Sequence, residues 1–258
     1  MNETVLNLKD LEEKVLKKNK YLTDFITPIE VNKIIEYFKN RKEVSHTIYQ
    51  VCDISLERTK IYLCKTELLY DVIDYANVEE SYNIQILKII PNKFSKKLYH
   101  KDYLGTILGL GIKREKIGDI ILTNDNSAYV FVSLDICDYI EKDLKKIGHE
   151  TVKIIKVREI NKNDLKIDYK ERDITLSSYR LDNFIAHGFG ISRRISSELI
   201  EKELVKVNYE DCSNPLYEIK EEDLISVRGY GRLKVIKLDG ENKKGRKRVN
   251  VHVFKKEK

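Results

Sequence analysis

The chain holds 258 residues, 41% hydrophobic and 35% charged, with a formal net charge of +6. That length accommodates two or three small domains with separate cores, and the hydrophobic share is that of a globular protein. No stretch approaches the ~20 apolar residues of a membrane span. Met1 to Lys20 carries acidic residues and no apolar run, so no signal peptide is expected there. The four cysteines, Cys52, Cys64, Cys137 and Cys212, form no C-x-x-C pair, and no histidine lies at zinc-finger spacing from them. Reduced thiols are therefore expected, with no metal site and no disulfide.

In chain order, apolar residues at Leu8, Leu11, Val15 and Leu16 predict a helix within Val5 to Lys20. Thr27-Pro28 opens a second helix, with Thr27 as N-cap, Pro28 in the first helical position, and Val31, Ile34, Ile35 and Phe38 as its inner stripe. Thr47 to Asp53 and Arg58 to Lys65 read as two strands, and Glu67 to Tyr75 as a further helix or a connector.

The next segment alternates differently. Ile84 to Ile90 reads as a strand, His100 to Leu110 as a helix, and Ile117 to Thr123 and Ala128 to Ser133 as strands around Asn124-Asp125-Asn126. A helix over Asp135 to Ile147, stopped by Gly148, and a strand over Thr151 to Val157 follow. The order β-α-β-β-α-β is that of a ferredoxin-like, RRM-like fold. Ile160 to Ile174 is polar and charged, as in a linker. Beyond it, Ser178 caps a helix through His187 that Gly188 stops, and Ser192 caps a helix through Glu203. Short strands are expected over Val205 to Tyr209, Leu224 to Arg228, Leu233 to Lys237 and Arg248 to Phe254. The fold class is thus α+β, with an N-terminal α/β domain over 1–75, a central domain over 76–160, a linker over 161–176 and an αα-β domain over 177–258.

Charge is distributed unevenly. Thr175 to Lys258 has 18 basic and 13 acidic residues, a net of +5, which leaves +1 for residues 1–174. Leu224 to Lys258 alone has 12 basic and 3 acidic residues. A concentrated basic surface favours a polyanion. Arg193 and Arg194 follow the Ser192 cap, at the helix end where cations oppose the macrodipole. Either they face an anion that the same helix end attracts, phosphate by arginine's geometry, or they are solvated, with Arg194 paired to Glu198. Arg180, Lys202, Lys206, Asn208, Arg228 and Arg232 lie in the same region, and Tyr230, between two glycines, reads either as a ring that stacks on an unpaired base or as a core tyrosine, the glycines favouring exposure.

The central segment has its own basic set, including Lys97, His100, Lys101, Lys113, Arg114 and Lys116. It reads either as a second RNA surface or as a solvated rim. Tyr129 and Phe131 alternate on one strand face, as RRM stacking aromatics do, but the glycine-rich RNP pattern is absent and core packing is favoured.

Ser178-Tyr179-Arg180-Leu181-Asp182, Gly190-Ile191-Ser192-Arg193, Leu199 through Asn208, and Asp223 through Gly229 occur in order. Together they resemble the S-four RNA-binding domain. Leu98 through Gly105, Gly109 through Ile120, and Leu22 through Pro28 are similar to the central and N-terminal regions of the YlmH family. The resemblance implies a cytoplasmic, ribosome-associated RNA-binding protein without a cofactor. Ribosomal RNA, tRNA and the large ribosomal subunit are the implied partners, with a role in the rescue or quality control of stalled large subunits. A monomer with no membrane attachment is expected.

The rival reading is an RNA-modifying enzyme of pseudouridine synthase or methyltransferase type carrying this module. Arg180-Leu181-Asp182 is similar to the motif at the catalytic aspartate of some pseudouridine synthases, but it runs into Asn183-Phe184-Ile185-Ala186 rather than a turn. No P-loop or glycine-rich cofactor loop is present, and the five histidines are scattered. A non-catalytic binder is expected. A cell-division-linked adaptor is the third reading.

Overall fold

The computed structural model describes residues 7–49, 56–68, 81–166 and 169–255. The chain divides into two compact units, Met1–Lys166 and Ile167–Lys258.

The first unit opens with α1 (Leu8–Lys18), β1 (Lys20–Leu22), α2 (Pro28–Phe38), β2 (Val44–Ile48) and β3 (Ile61–Lys65). Thr27 caps α2 in a full capping box: its hydroxyl accepts from the Glu30 N–H, and the Glu30 carboxylate accepts from the Thr27 N–H. The strands pair antiparallel in the order β1-β3-β2. Leu11, Val15, Ile34, Phe38, Val44, Ile61 and Leu63 close a small core between these helices and the sheet. The strand expected up to Asp53 ends at Ile48 within the described residues, and residues 50–55 lie outside them. Of the segment Glu67 to Tyr75, a 3-10 turn over Thr66–Leu68 is described and the rest lies outside.

The same unit continues with β4 (Ile84–Pro91), α3 (His100–Gly109), β5 (Ile117–Leu122), β6 (Ala128–Ser133), α4 (Leu134–Asp143), β7 (Lys146–Ile147) and β8 (Glu150–Val157). The sheet order is β5-β6-β4-β8-β7, all pairs antiparallel. With β7 set aside, this is the β-α-β-β-α-β arrangement expected. One part differs. The helix expected through Ile147 stops at Asp143, and Lys146–Ile147 forms a short strand against β8. Gly148, expected to cap the helix, sits in the turn of that hairpin with φ +57.

Every residue of β6 is buried, because both faces of the sheet are covered. Ala128, Val130 and Val132 face the core shared with Tyr103, Ile107, Cys137 and Ile140 of α3 and α4. Tyr129 and Phe131 face the other way, into a cluster with Phe25, Tyr49, Tyr62, Tyr82, Ile84 and Ile86. The N-terminal elements therefore seal the sheet face opposite the helices. Gly118 on β5 permits this. A Cβ there would lie 2.6 Å from the Phe25 ring and 2.9 Å from Phe131 Cβ.

The second unit begins with β9 (Tyr169–Leu176), inside the segment expected to be a linker. Its charged residues face solvent, while Ile174 and Leu176 are buried, and it pairs over its length with β14 (Lys247–Lys255). A charged edge strand resists edge-to-edge pairing and shows little apolar alternation. Then come α5 (Leu181–Phe189), α6 (Arg193–Glu201), β10 (Val205–Val207), β11 (Glu210–Asp211), β12 (Leu224–Val227) and β13 (Gly231–Glu241). The six strands run β11-β10-β12-β13-β14-β9. Both helices pack on them through Leu181, Phe184, Ile185 and Ile200 against Val205, Ile225, Leu233 and Val251. Gly188, expected to stop the first helix, is inside it. A Cβ there would lie 1.9 Å from Leu233 Cδ1, so glycine lets α5 lie close on β13. The stop is Gly190, with φ +70.

Candidate nucleic-acid interface

Ser192 caps α6, its hydroxyl accepting from the Ile195 N–H at 3.3 Å. The first two helical residues are Arg193 and Arg194, and no acidic residue lies in the first turn. What holds Arg193 comes from α5. Asp182 is 2% exposed and its carboxylate is fully used. Oδ1 accepts from Arg180 Nε at 3.1 Å and from the Asn183 N–H at 3.0 Å. Oδ2 accepts from Arg180 Nη2 and Arg193 Nη2, both at 2.9 Å. The Asp182 carbonyl accepts from Ser196 Oγ at 2.8 Å, which ties α5 to α6.

The carboxylate is buried, but the guanidiniums are not. The Arg180 and Arg193 side chains keep 38% and 53% of their surface exposed. Each is anchored at one edge and open at the rest, and arginine's five donors leave some free for an incoming anion. Arg194 points outward, 78% exposed, and pairs with Glu198 one turn on. Such surface pairs contribute about 0.3–0.5 kcal/mol and exchange readily.

The remaining residues of the second unit differ in exposure. Lys202 caps the far end of α6, ~13 Å from its start at 1.5 Å per residue. Lys206 on β10 is exposed and paired to Asp211 at 3.3 Å, and Arg228 is exposed just past β12, its N–H held by the Leu204 carbonyl. Lys206 and Arg228 sit where β10 and β12 pair. Tyr230 is half-buried, its ring 5.9 Å from that of Phe189, so only part of it is open for stacking. Arg232 lies on β13 opposite Ser226 and Phe254. Asn208 is turned into the fold: Nδ2 donates to Asp223 Oδ1 at 2.8 Å and Oδ1 accepts from the Leu224 N–H at 2.9 Å.

In the first unit, the basic set divides along α3, ~15 Å from end to end. Lys97, His100 and Lys101 are exposed at its start, with the Lys97 and Lys101 ammoniums 5.4 and 5.8 Å from the Tyr99 ring centre. Lys113, Arg114 and Lys116 follow its other end. Lys113 is 78% exposed beside Glu115. Arg114 is turned inward, donating to the Ile117 and Gly118 carbonyls, and burial lowers its pKa to about 10. Lys116 bridges Asp24 and Asp135, each at 3.0 Å. Burial works against its charge, but those hydrogen bonds outweigh it and raise its pKa. Tyr129 and Phe131 are 2% and 0% exposed and belong to the core, as favoured.

Asp182 escaped notice as the organiser of the arginines. Its partners lie two residues before it and eleven after, the second on another helix beyond the break at Gly190. The one local signal was an acid in the first turn of α5 beside an arginine.

Two helices set against a sheet, with arginines gathered at the start of the second helix, define an RNA-binding module of the S-four type. Residues 180–225 match the S4 domain family, and residues 78–162 match the family described as "Putative RNA-binding domain in YlmH". Over 178 residues the chain is 34% identical to "Ribosome-associated protein quality control protein P2" of Bacillus subtilis (strain 168), covering 68% of each chain. The solved structure of "Cell division protein ylmH from Streptococcus pneumoniae" aligns with 61% of this chain and 94% of its own at 21% identity, with a TM-score of 0.45. The chain belongs to the YlmH family.

Proposed function

We propose that the protein is a non-catalytic RNA binder that acts on the ribosome, contacting large-subunit ribosomal RNA, peptidyl-tRNA or both in the rescue or quality control of stalled large subunits. The observation that carries this reading is the buried Asp182 carboxylate holding Arg180 and Arg193 toward solvent at the start of α6. A fold selected for stability alone would set no cations at that helix end. A polyphosphate ligand gives the donors that Asp182 leaves open a partner, reached by pre-oriented forks. Arg194, Lys202, Lys206 and Arg228 extend the same basic surface. The name of the Bacillus subtilis relative supports the ribosome as the setting, and a cytoplasmic monomer is the form in which the protein would act.

Binding is favoured over catalysis by the state of Asp182. Four donors saturate its carboxylate, leaving no lone pair aimed at a substrate. A pseudouridine synthase needs its aspartate open to the flipped base.

The test is co-sedimentation with purified large ribosomal subunits. The wild-type chain is expected to pellet with them, with affinity falling steeply as salt rises. The double variant Arg193→Glu, Arg194→Glu is expected to stay in the supernatant. Undiminished pelleting of that variant refutes the assigned surface. Crosslinking followed by sequencing of the bound RNA then separates ribosomal RNA from tRNA.

A further inference from the structure

The loop from Asn92 to Tyr99, between β4 and α3, belongs to the first unit and takes no part in the arginine cluster around Asp182. The Ser95 N–H closes a turn onto the Asn92 carbonyl, which puts Lys93 and Phe94 at its two corners. Phe94 is 94% exposed, the most exposed of the large hydrophobic residues among those described. Residues 92–101 include Lys93, Lys96, Lys97 and Lys101 and no acid. Among the described residues, none of these lysines is in an ion pair.

An exposed phenylalanine alone means little. Here its neighbour in the chain, Ser95, lines an open cleft of about 330 Å³, within the range of small-ligand pockets. Ser95, Lys97, Asn124, Asn126, Ser127 and Lys166 contribute to its wall. The wall is rigid. Asn126 holds the loop with both ends of its amide, Oδ1 accepting from the Leu98 N–H at 2.7 Å and Nδ2 donating to the Lys96 carbonyl at 2.9 Å. The Tyr103 hydroxyl donates to the Asn126 carbonyl, and Asn124 Nδ2 donates to the Leu165 carbonyl. Two hydroxyls in this wall are left over. The Ser95 hydroxyl is buried and makes no hydrogen bond. Ser127 Oγ, also buried, lies beside the Asp125 carboxylate without closing one. A buried hydroxyl without a partner is uncommon in a settled fold and fits one supplied by a ligand.

We propose that this cleft receives one unpaired nucleotide of RNA. Its base stacks on Phe94 and its edge meets the Ser95 hydroxyl, while Lys93, Lys96, Lys97 and Lys101 hold the flanking phosphates. The sheet face that other RRM-like folds present for stacking is closed by Phe25 and Tyr49, so the aromatic contact moves to the loop at the end of β4. Aromatic faces accept any base, whereas hydroxyls in a fixed wall discriminate among base edges. The ligand is therefore single-stranded, with a modest base preference. This inference rests on the RNA-binding reading of the central domain and not on the S-four surface.

The experiment uses the full chain carrying Arg193→Glu and Arg194→Glu, so that the first surface is silent. Fluorescein-labelled ten-nucleotide oligoadenylate, oligouridylate and oligocytidylate, and a duplex RNA of equal length, are titrated by anisotropy. Single strands are expected to bind more tightly than the duplex. Phe94→Ala is expected to weaken them about tenfold and Phe94→Trp to restore them. Each lysine changed to alanine should flatten the salt dependence by about 0.7 in log–log slope. Ser95→Val should level the affinities for the three sequences. Single-strand binding that is absent in this background, indifferent to Phe94→Ala or equalled by duplex overturns the proposal and leaves the S-four surface standing. Phe94-dependent capture by phosphatidylserine vesicles, without RNA binding, overturns it in favour of a membrane contact.

Discussion

Asp182→Asn separates positioned arginines from mere positive charge. The substitution removes one negative charge beside the proposed RNA surface. If the surface attracts RNA only by its field, binding tightens. If Asp182 acts by holding Arg180 and Arg193, binding weakens despite the more positive protein. An asparagine amide would present N–H bonds toward Arg180 Nη2 or Arg193 Nη2, both donors, and the anchor fails. Ordering a long side chain afresh on binding costs about 0.5–1.5 kcal/mol, so two arginines cost about 1–3 kcal/mol, or roughly a 5- to 150-fold rise in Kd. The assay is anisotropy titration of a ribosomal RNA fragment at several salt concentrations, with a thermal melt to show that the second unit stays folded. Equal or tighter binding by Asp182→Asn refutes the positioning argument.

Three further outcomes are expected. Gly188→Ala should destabilise the second unit by about 1–3 kcal/mol, because the new methyl overlaps Leu233 in a packed core; a melt unchanged within error would contradict the close approach of α5 to β13. Lys60 is 1% exposed, its ammonium bound to the Asn83 carbonyl at 3.0 Å and over the Phe25 ring, and burial lowers its pKa to about 8. Between pH 8 and the ordinary lysine value the unfolded chain holds the proton more tightly, so stability should rise with pH across that window, and chemical denaturation at stepped pH reads it. Lys60→Met should remove that slope and raise stability at pH 7 by about 1–3 kcal/mol, burial of the charge outweighing the lost hydrogen bond.

Local signals were legible and distant ones were not. Thr27-Pro28 and Ser192 each carry a cap within three residues, and both helices start where those residues place them. The β5–β6 hairpin follows from Asn124-Asp125-Asn126 between apolar runs, and the order of elements gave the central fold. The two misplaced stops were both glycines. Gly188 stays helical because of Leu233, 45 residues later, and Gly148 serves a hairpin whose first strand is two residues long. β9 was hidden because an edge strand with four exposed charged or polar positions looks like a linker until its partner, β14, is known. At the candidate site, the residue types were legible but their directions were not. Charge counting groups Lys97 with Lys116, yet the first points to solvent and the second spans Asp24 and Asp135.

The seal on the central sheet has a consequence for how the chain is made. Phe25 finds its place only against partners that include Phe131, 106 residues further along. At translation rates of about 5–20 residues per second, the N-terminal aromatics emerge roughly 5–20 s before the strand they cover. During that interval Phe25 and Tyr49 have no finished surface to bury against, and loop closure over such a span is slow. The first unit can therefore complete its core only when β6 has been synthesised. A ribosome halted before that point holds a nascent chain with its apolar face bare.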